Sequence, residues 1–207
     1  MKKLVFLLFL FFLMQACSPR LRKSYAKLSP PEKSWVVFHP FKASNAYTIS
    51  QEAENIKDSI AKHDIIGNDN NGGHLDAFKH SYWMARLTQD IGKRAALSLG
   101  EAHEKGNYKS FKKRKLEDGL LPDKPSSDMD LYNNIIGINI GIKNKITSKK
   151  VLIQKVLNSL QHGRLMILSK DSLGNFLDCQ QRIIIIDSLK HRWDTKKCLV
   201  PSNKTPF

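Results

Sequence analysis

Apolar residues recur at helical spacing along most of the chain, and the polar positions that interrupt this rhythm carry the information. From Ser44, "SNAYTISQEAENIKDSIAKHDI" has capping residues at its start and apolar positions three and four apart, which predicts a helix ending before Gly67. "GNDNNGGH" then reads as a plain turn, since Gly, Asn and Asp tolerate left-handed geometry and no phosphate-binding fingerprint is present. A second helix is expected from about Leu75 to Ile91. At about 100° per residue, Asp76, Ala77, His80, Trp83, Met84, Leu87 and Ile91 share one side, with Lys79, Arg86, Gln89 and Asp90 on the other. His80 therefore sits at the centre of the apolar stripe with Asp76 one turn before it, and two buried ionisable groups require partners.

"KRAALSLGEAHEKG" continues as a helical piece whose small apolar arc is Ala95, Ala96, Leu99 and Ala102. His103 projects within that arc, while Glu101 and Glu104 point toward the charged side unless the helix end frays and turns Glu104 inward. Residues 105–127 read as a surface loop with a basic run at Lys112 to Lys115. "SDMDLYNNIIGINIGIKN" is apolar round most of its circumference and should be a buried helix. Its one polar or bare stripe is Asp130, Asn133, Asn134, Gly137 and Gly141. Glycine inside a helix costs about 1 kcal/mol against alanine, so close approach by another helix or a ligand is expected there. "TSKKVLIQKVLNSLQHG" predicts a further amphipathic helix stopped by Gly163, and "RLMILSKDSLGNFLD" a strand, turn and strand. "RIIIIDSLKHRW" fits a buried strand or a helix equally well. The fold class that follows is mainly α: a single helical domain over residues 44–207 with a small C-terminal β-hairpin.

The N-terminus follows a different grammar. Residues 1–16, "MKKLVFLLFLFFLMQA", are two lysines, an apolar run and a small residue, the pattern of an export signal. "MQAC" resembles the lipobox of bacterial lipoproteins, which implies that Cys17 is lipidated and becomes the first residue of the mature chain, although Met14 and Gln15 depart from the commonest pattern. Residues 17–43, with Pro19, Pro30, Pro31 and Pro40, read as a tether ending in a short extended segment around "SWVVFH". The expected location is the bacterial cell envelope, membrane-anchored and outside the cytosol.

Charge and cysteine content sharpen this. The chain carries a formal charge of +15, and loss of the signal removes only Lys2 and Lys3. A basic tethered protein is suited to lipid headgroups or acidic envelope polymers, and nucleic acid is a poor candidate outside the cytosol. Cys179 and Cys198 are an even pair where disulfides persist; they are read as a bridge, with two free thiols as the alternative.

Three predicted helices thus present polar groups from faces that should be buried: Asp76 and His80, then His103 with Glu104, then Asp130 with Asn133 and Asn134. Carboxylates and imidazoles converging from facing helices are a common construction of acid/base and metal sites, and this mixed nitrogen and oxygen set suits a divalent ion. The metal-ligand candidates are His80, His103 and Asp130. Asp76, His80, His103, Glu104 and Asp130 are the catalytic candidates, with Asn133, Asn134 and Trp83 holding substrate. The bland alternative is a buried polar network. No zinc-protease motif is present.

"DAFKHSYW", "GEAHE" and "MDLYNNIIG", in this order, resemble the signature of an uncharacterised bacterial domain family found in exported proteins, which reads D-A-F-[RK]-H-x-x-W, A-H-E and M-D-L-x-N-N-x-x-G. The resemblance covers about residues 68–145 and implies that the residues named above occupy its signature positions, without supplying an activity. Many members of the family it resembles carry arginine soon after the final glycine, where this chain has Ile138 and Asn139. Two functions follow as expectations: a metal-assisted hydrolase acting on envelope material, or a non-enzymatic lipoprotein that binds envelope polymers or a partner.

Overall fold

The computed structural model describes residues 19–116, 119–189 and 191–204. Residues 1–16, read as an export signal, and Cys17, read as the lipidation site, lie outside the described residues. Among those described, the chain forms α1 (Pro19–Lys27), α2 (Pro30–Phe38), α3 (Pro40–Lys62), α4 (His74–Ile91), α5 (Lys93–Lys112), α6 (Lys124–Lys143), α7 (Lys149–Gln161), β1 (Met166–Leu168), α8 (Ile186–Leu189) and β2 (Leu199–Pro201). The architecture is mainly helical with one small antiparallel two-stranded sheet near the C-terminus. No described helix is long and apolar enough to cross a membrane.

The segment read from sequence as a proline-rich tether is largely helical where it is described. Its prolines start helices instead of preventing them: Pro30 and Pro31 occupy the first turn of α2, and Pro40 the first turn of α3, where a missing N–H leaves no hydrogen bond unmade. Ser29 caps α2 through its hydroxyl, and Glu32 reaches back to the Ser29 N–H at 2.8 Å, a complete capping box. Trp35, expected in an extended segment, is buried on α2 and donates its indole N–H to Ser98 Oγ at 2.9 Å. The packed unit therefore begins well before Ser44.

α4 is the central helix, packed by α3, α5, α6 and α7. One apolar cluster joins Ala53, Ile60, Phe78, Tyr82, Leu152, Val156 and Leu160 where α3, α4 and α7 meet. A second joins Trp35, Ile49, Met84, Leu87, Leu99 and Ile138 across α2 to α6. Trp83 packs against both.

The glycines of α6 behave as their cost demands. A Cβ on Gly137 would lie 2.2 Å from the Ser81 carbonyl oxygen, and one on Gly141 2.5 Å from that of Ala85. Backbone contact of α6 with α4 is thus what these positions permit.

α5 runs to Lys112, so helix replaces the first part of the expected surface loop. At the C-terminus β1 pairs with the distant β2, Ile167 opposite Val200, and not with the segment immediately following it. The intervening chain contributes isolated bridges, Lys170 with Phe176 and Leu177 with Ile183, and the ambiguous "RIIIIDSLKHRW" stretch is mostly irregular around the short α8. Cys179 and Cys198 are bridged.

Candidate functional site

The site is built at the first turns of α4. Gly72, with φ of +80°, turns the preceding loop; its carbonyl accepts the Leu168 N–H of β1 at 2.7 Å, and its N–H donates to Asp76 Oδ2 at 3.0 Å. Asp76 Oδ1 lies 3.1 Å from Lys79 Nζ. Burial alone would raise the Asp76 pKa, but the charges of Lys79 and His80 and the Gly72 N–H outweigh it and hold the carboxyl below its usual value.

His80 lies one turn on and is buried. Its Nε2 is 3.6 Å from Asp76 Oδ1 and 3.5 Å from Asp130 Oδ1, beyond the usual hydrogen-bond range of about 2.7–3.2 Å. Its Nδ1 faces Asn134 Oδ1 at 3.4 Å. An amide oxygen accepts only, so in the tautomer that carries its proton on Nδ1, toward this oxygen, the Nε2 lone pair faces two carboxylates. Burial, with Lys79 and His103 adding to it and Asp76 and Asn134 opposing, pushes the imidazole pKa down to about 3, so the ring is neutral at neutral pH.

Ligand atoms of Asp76, His80 and Asp130 all lie within 4.8 Å of one another, a spacing that could hold a metal ion. Ligands about 2.1 Å from a common ion stand roughly 3.0–3.4 Å apart, a little less than the 3.5 and 3.6 Å from His80 Nε2 to the two carboxylates. These three side chains line a cleft of about 50 Å³. That exceeds the roughly 10–15 Å³ one water needs by the same kind of measure. The lining also includes Asn70, Asn71 and Lys79 from α4 and the loop before it, and a second wall, distant in sequence, of Leu120, Leu121, Ser126, Phe176 and Lys197.

Asp123, the N-cap of α6, fixes that second wall. Its carboxylate accepts the Ser126 N–H and the Thr195 hydroxyl, and pairs with Lys197 Nζ at 2.8 Å. Lys197 also lies over the Phe176 ring, 3.9 Å from its centroid. The loop read as a plain turn does more than reverse the chain: it lines the cleft and donates to Asp76, with Asp69 held by Lys170 at 2.6 Å.

The remaining candidates are placed differently. His103 is outside the three-residue ligand group, where Asp76 takes the place expected for it. Its ring centroid stands 6.0 Å from that of His80 and 5.7 Å from that of Trp83, and its Nδ1 is 3.1 Å from Glu32 Oε1. Glu104 is buried beside Asn107, whose amide donates to it at 3.3 Å. Asn133 is fully buried and grips β1: its amide donates to the Met166 carbonyl and its oxygen accepts the Met166 N–H, both at 2.9 Å. This satisfies the amide within the core, so Asn133 is not turned to a substrate. Asn134 is buried against His80, and Trp83 donates its indole N–H to Ser50 Oγ at 2.9 Å instead of lining the cleft.

Sequence reading missed Glu32. It caps α2 and meets His103 from a segment read as tether. Burial would raise its pKa, but the His103 hydrogen bond and charge, with Ser29, lower it to about 2. The signal was available in "SPPEK", a serine three residues before a glutamate with proline at the first helical position. Lys197 has no such local signal, because the disulfide and Asp123 bring it to the wall from the far end of the chain.

No curated protein and no solved structure matches the chain. Residues 33–164 match a family model described as Domain of unknown function (DUF6973), a segment that contains Asp76, His80, His103 and Asp130 and begins one residue after Glu32. With well over half its length inside that match, the chain belongs to the DUF6973 family.

Proposed function

We propose that the protein is an exported, membrane-anchored hydrolase of envelope material whose reaction centre is a divalent ion held by Asp76, His80 and Asp130. The observation that carries this reading is the inward Nε2 of His80, facing two carboxylates at 3.5 and 3.6 Å on the floor of a cleft. In the tautomer with the proton on Nδ1 this sets acceptor against acceptor, an arrangement that a cation between them relieves. A bound ion would supply acidity to a coordinated water and polarise a scissile ester, amide or phosphoryl group. Asn134 would fix the ring orientation of His80, the role an outer hydrogen bond plays for a metal-binding histidine. Lys79, which lines the cleft beside Asp76, would add positive charge for an anionic group, while Lys197 is buried in its pair with Asp123. The N-terminal export pattern supports an envelope substrate by location.

A second reading is a non-enzymatic binding lipoprotein, favoured by the burial of Asn133, Asn134 and Glu104 away from the cleft. Elemental analysis of the full chain beside Asp130→Asn and His80→Ala separates the two. The expected result is stoichiometric metal in the parent and its loss in both variants, with helical circular dichroism retained. A parent free of metal after incubation with zinc, manganese and calcium would overturn the metal centre.

A further inference from the structure

Among the described residues near the N-terminus, the corner between α2 and α3 carries the largest apolar exposure. Val37 is 63 % exposed, Phe38 78 % and Phe41 97 %, at the end of one helix and the start of the next. Every other aromatic of α2 and the early part of α3 is used: Trp35 is buried and stacked on His39, and Tyr47 is partly covered. Two exposed phenylalanines three residues apart at one helix corner, with Val37 beside them in sequence, form an apolar wedge instead of a scattered surface residue.

The rim of this corner is basic. Lys42 follows Phe41 and places its Nζ 2.8 Å from the Ile91 carbonyl, beside exposed Lys93 and Arg94 at the start of α5. The α2–α5 register, Glu32 opposite His103 and Trp35 opposite Ser98, carries Phe38 toward that same end of α5. The acid on this rim is Asp90, which accepts a hydrogen bond from Asn45 at 2.8 Å. α1, the described segment nearest the N-terminal apolar run, has no acidic residue and exposes Arg22, Lys23 and Lys27.

We infer that Val37, Phe38 and Phe41 insert into the headgroup boundary of an anionic lipid bilayer, with Lys42, Lys93 and Arg94 on its phosphates. The inference rests on the membrane-anchored part of the proposed function. Its argument is position and charge: the apolar wedge sits on the second and third helices after the N-terminal segment, with the basic α1 between, and its rim is cationic. An anchor this close in sequence holds the wedge at the bilayer, where shallow insertion of apolar side chains between basic ones is favourable.

The consequence concerns the cleft. α3 runs antiparallel to α4, with Asn45 at Asp90 and Ser50 at Trp83, so the wedge lies at the C-terminal end of α4. Asp76 lies at the other end, fifteen residues from Ile91, or about 22 Å along the helix. Docking through the wedge holds the cleft in water and off the bilayer that carries the protein, which points to soluble or polymeric envelope material as substrate in preference to lipids of that bilayer.

The test uses the full chain with vesicles of phosphatidylethanolamine and phosphatidylglycerol, spin-labelled at Phe41→Cys or at Leu120→Cys on the cleft wall. The unmutated chain given the same label is the blank for Cys17. The expected result is flotation of all three, with the label at 41 losing access to a water-soluble nickel chelate and gaining access to oxygen. The label at 120 keeps full access to the chelate. Flotation with an aqueous label at 41 overturns the wedge while leaving the anchor standing. Loss of access to both reagents at 41 means a protein cover, such as a second copy, and also overturns it. A label at 120 inside the bilayer overturns the orientation, and failure to float overturns the anchor and the inference together.

Discussion

Gly137→Ala tests whether backbone contact between α4 and α6 assembles the site. The added Cβ would stand 2.2 Å from the Ser81 carbonyl oxygen and 2.9 Å from both the Ser81 carbonyl carbon and Cα. All three are backbone atoms within a helix, so no side chain can swing aside, and the helices must part by about 1 Å to restore ordinary contact. Overpacking of this kind costs about 1–3 kcal/mol, and the upper end applies because nothing soft yields. Parting also weakens the Ser81 hydroxyl's bond to the Asn133 carbonyl, now 3.0 Å, worth about 1 kcal/mol. Alanine returns about 1 kcal/mol of helix propensity, leaving a net loss of about 3 kcal/mol, or on the order of 10 °C in Tm. Urea and thermal unfolding measure it beside Gly174→Ala, where a Cβ meets nothing within 4 Å and only the strain of φ +83°, about 1 kcal/mol, is expected. The same parting carries Asp130 away from His80, so manganese affinity by calorimetry should fall in Gly137→Ala and not in Gly174→Ala. A Gly137→Ala protein as stable as its parent would refute the account of this interface.

Three further outcomes follow from the geometry. Glu32 has its pKa depressed from 4.5 to about 2, so the stability it contributes is complete above pH 4.5 and disappears as pH falls toward 2; Glu32→Gln should cost at most about 3 kcal/mol at pH 7 and flatten that acid limb in a series of urea melts. Glu52 accepts from the Tyr82 hydroxyl at 2.6 Å and from Arg86 Nε at 2.9 Å, and pairs with Lys149, so Glu52→Ala strands two partly buried partners and should lose about 2–4 kcal/mol, against much less for Glu54→Ala on the exposed face. Reducing the Cys179–Cys198 bridge, separated by 19 residues, should lower stability by about 3 kcal/mol in the chain-entropy account, and hydrogen exchange should rise first around Lys197 at the cleft wall.

Much of the molecule was legible because helical periodicity is a local property. The inward stripe of α4, the paired Asp76 and His80, and the bare stripe of α6 follow from about 100° per residue and the cost of burying charge. The expectation that Gly137 and Gly141 mark a close approach also follows, since an expensive residue needs a compensating contact. What the sequence left open or misread depended on partners distant along the chain. Pro30 and Pro31 look like breakers until Ser29 and Glu32 are seen to cap α2, and Pro40 likewise opens α3, because a proline in the first turn lacks only a hydrogen bond that no helix makes there. Asn133 and Asp130 are three apart on one helix face, yet a slight difference in direction sends one to the β1 backbone and the other to His80.

The sequence by itself determined the existence of α3 to α7 and that polar groups sit on their buried faces, since each depends on neighbours within a turn or two; α1 and α2 were read as tether, and the exposure of Ile135 and Ile142 on α6 was not foreseen. Only the tertiary structure decided which of these groups meet. Asp76, His80 and Asp130 converge because α6 presses its glycines against α4, His103 is drawn aside by Glu32, and the cleft wall is closed by Lys197. Such convergence depends on how helices pack against each other, and distances of a few ångströms between residues fifty apart are not encoded in any local pattern.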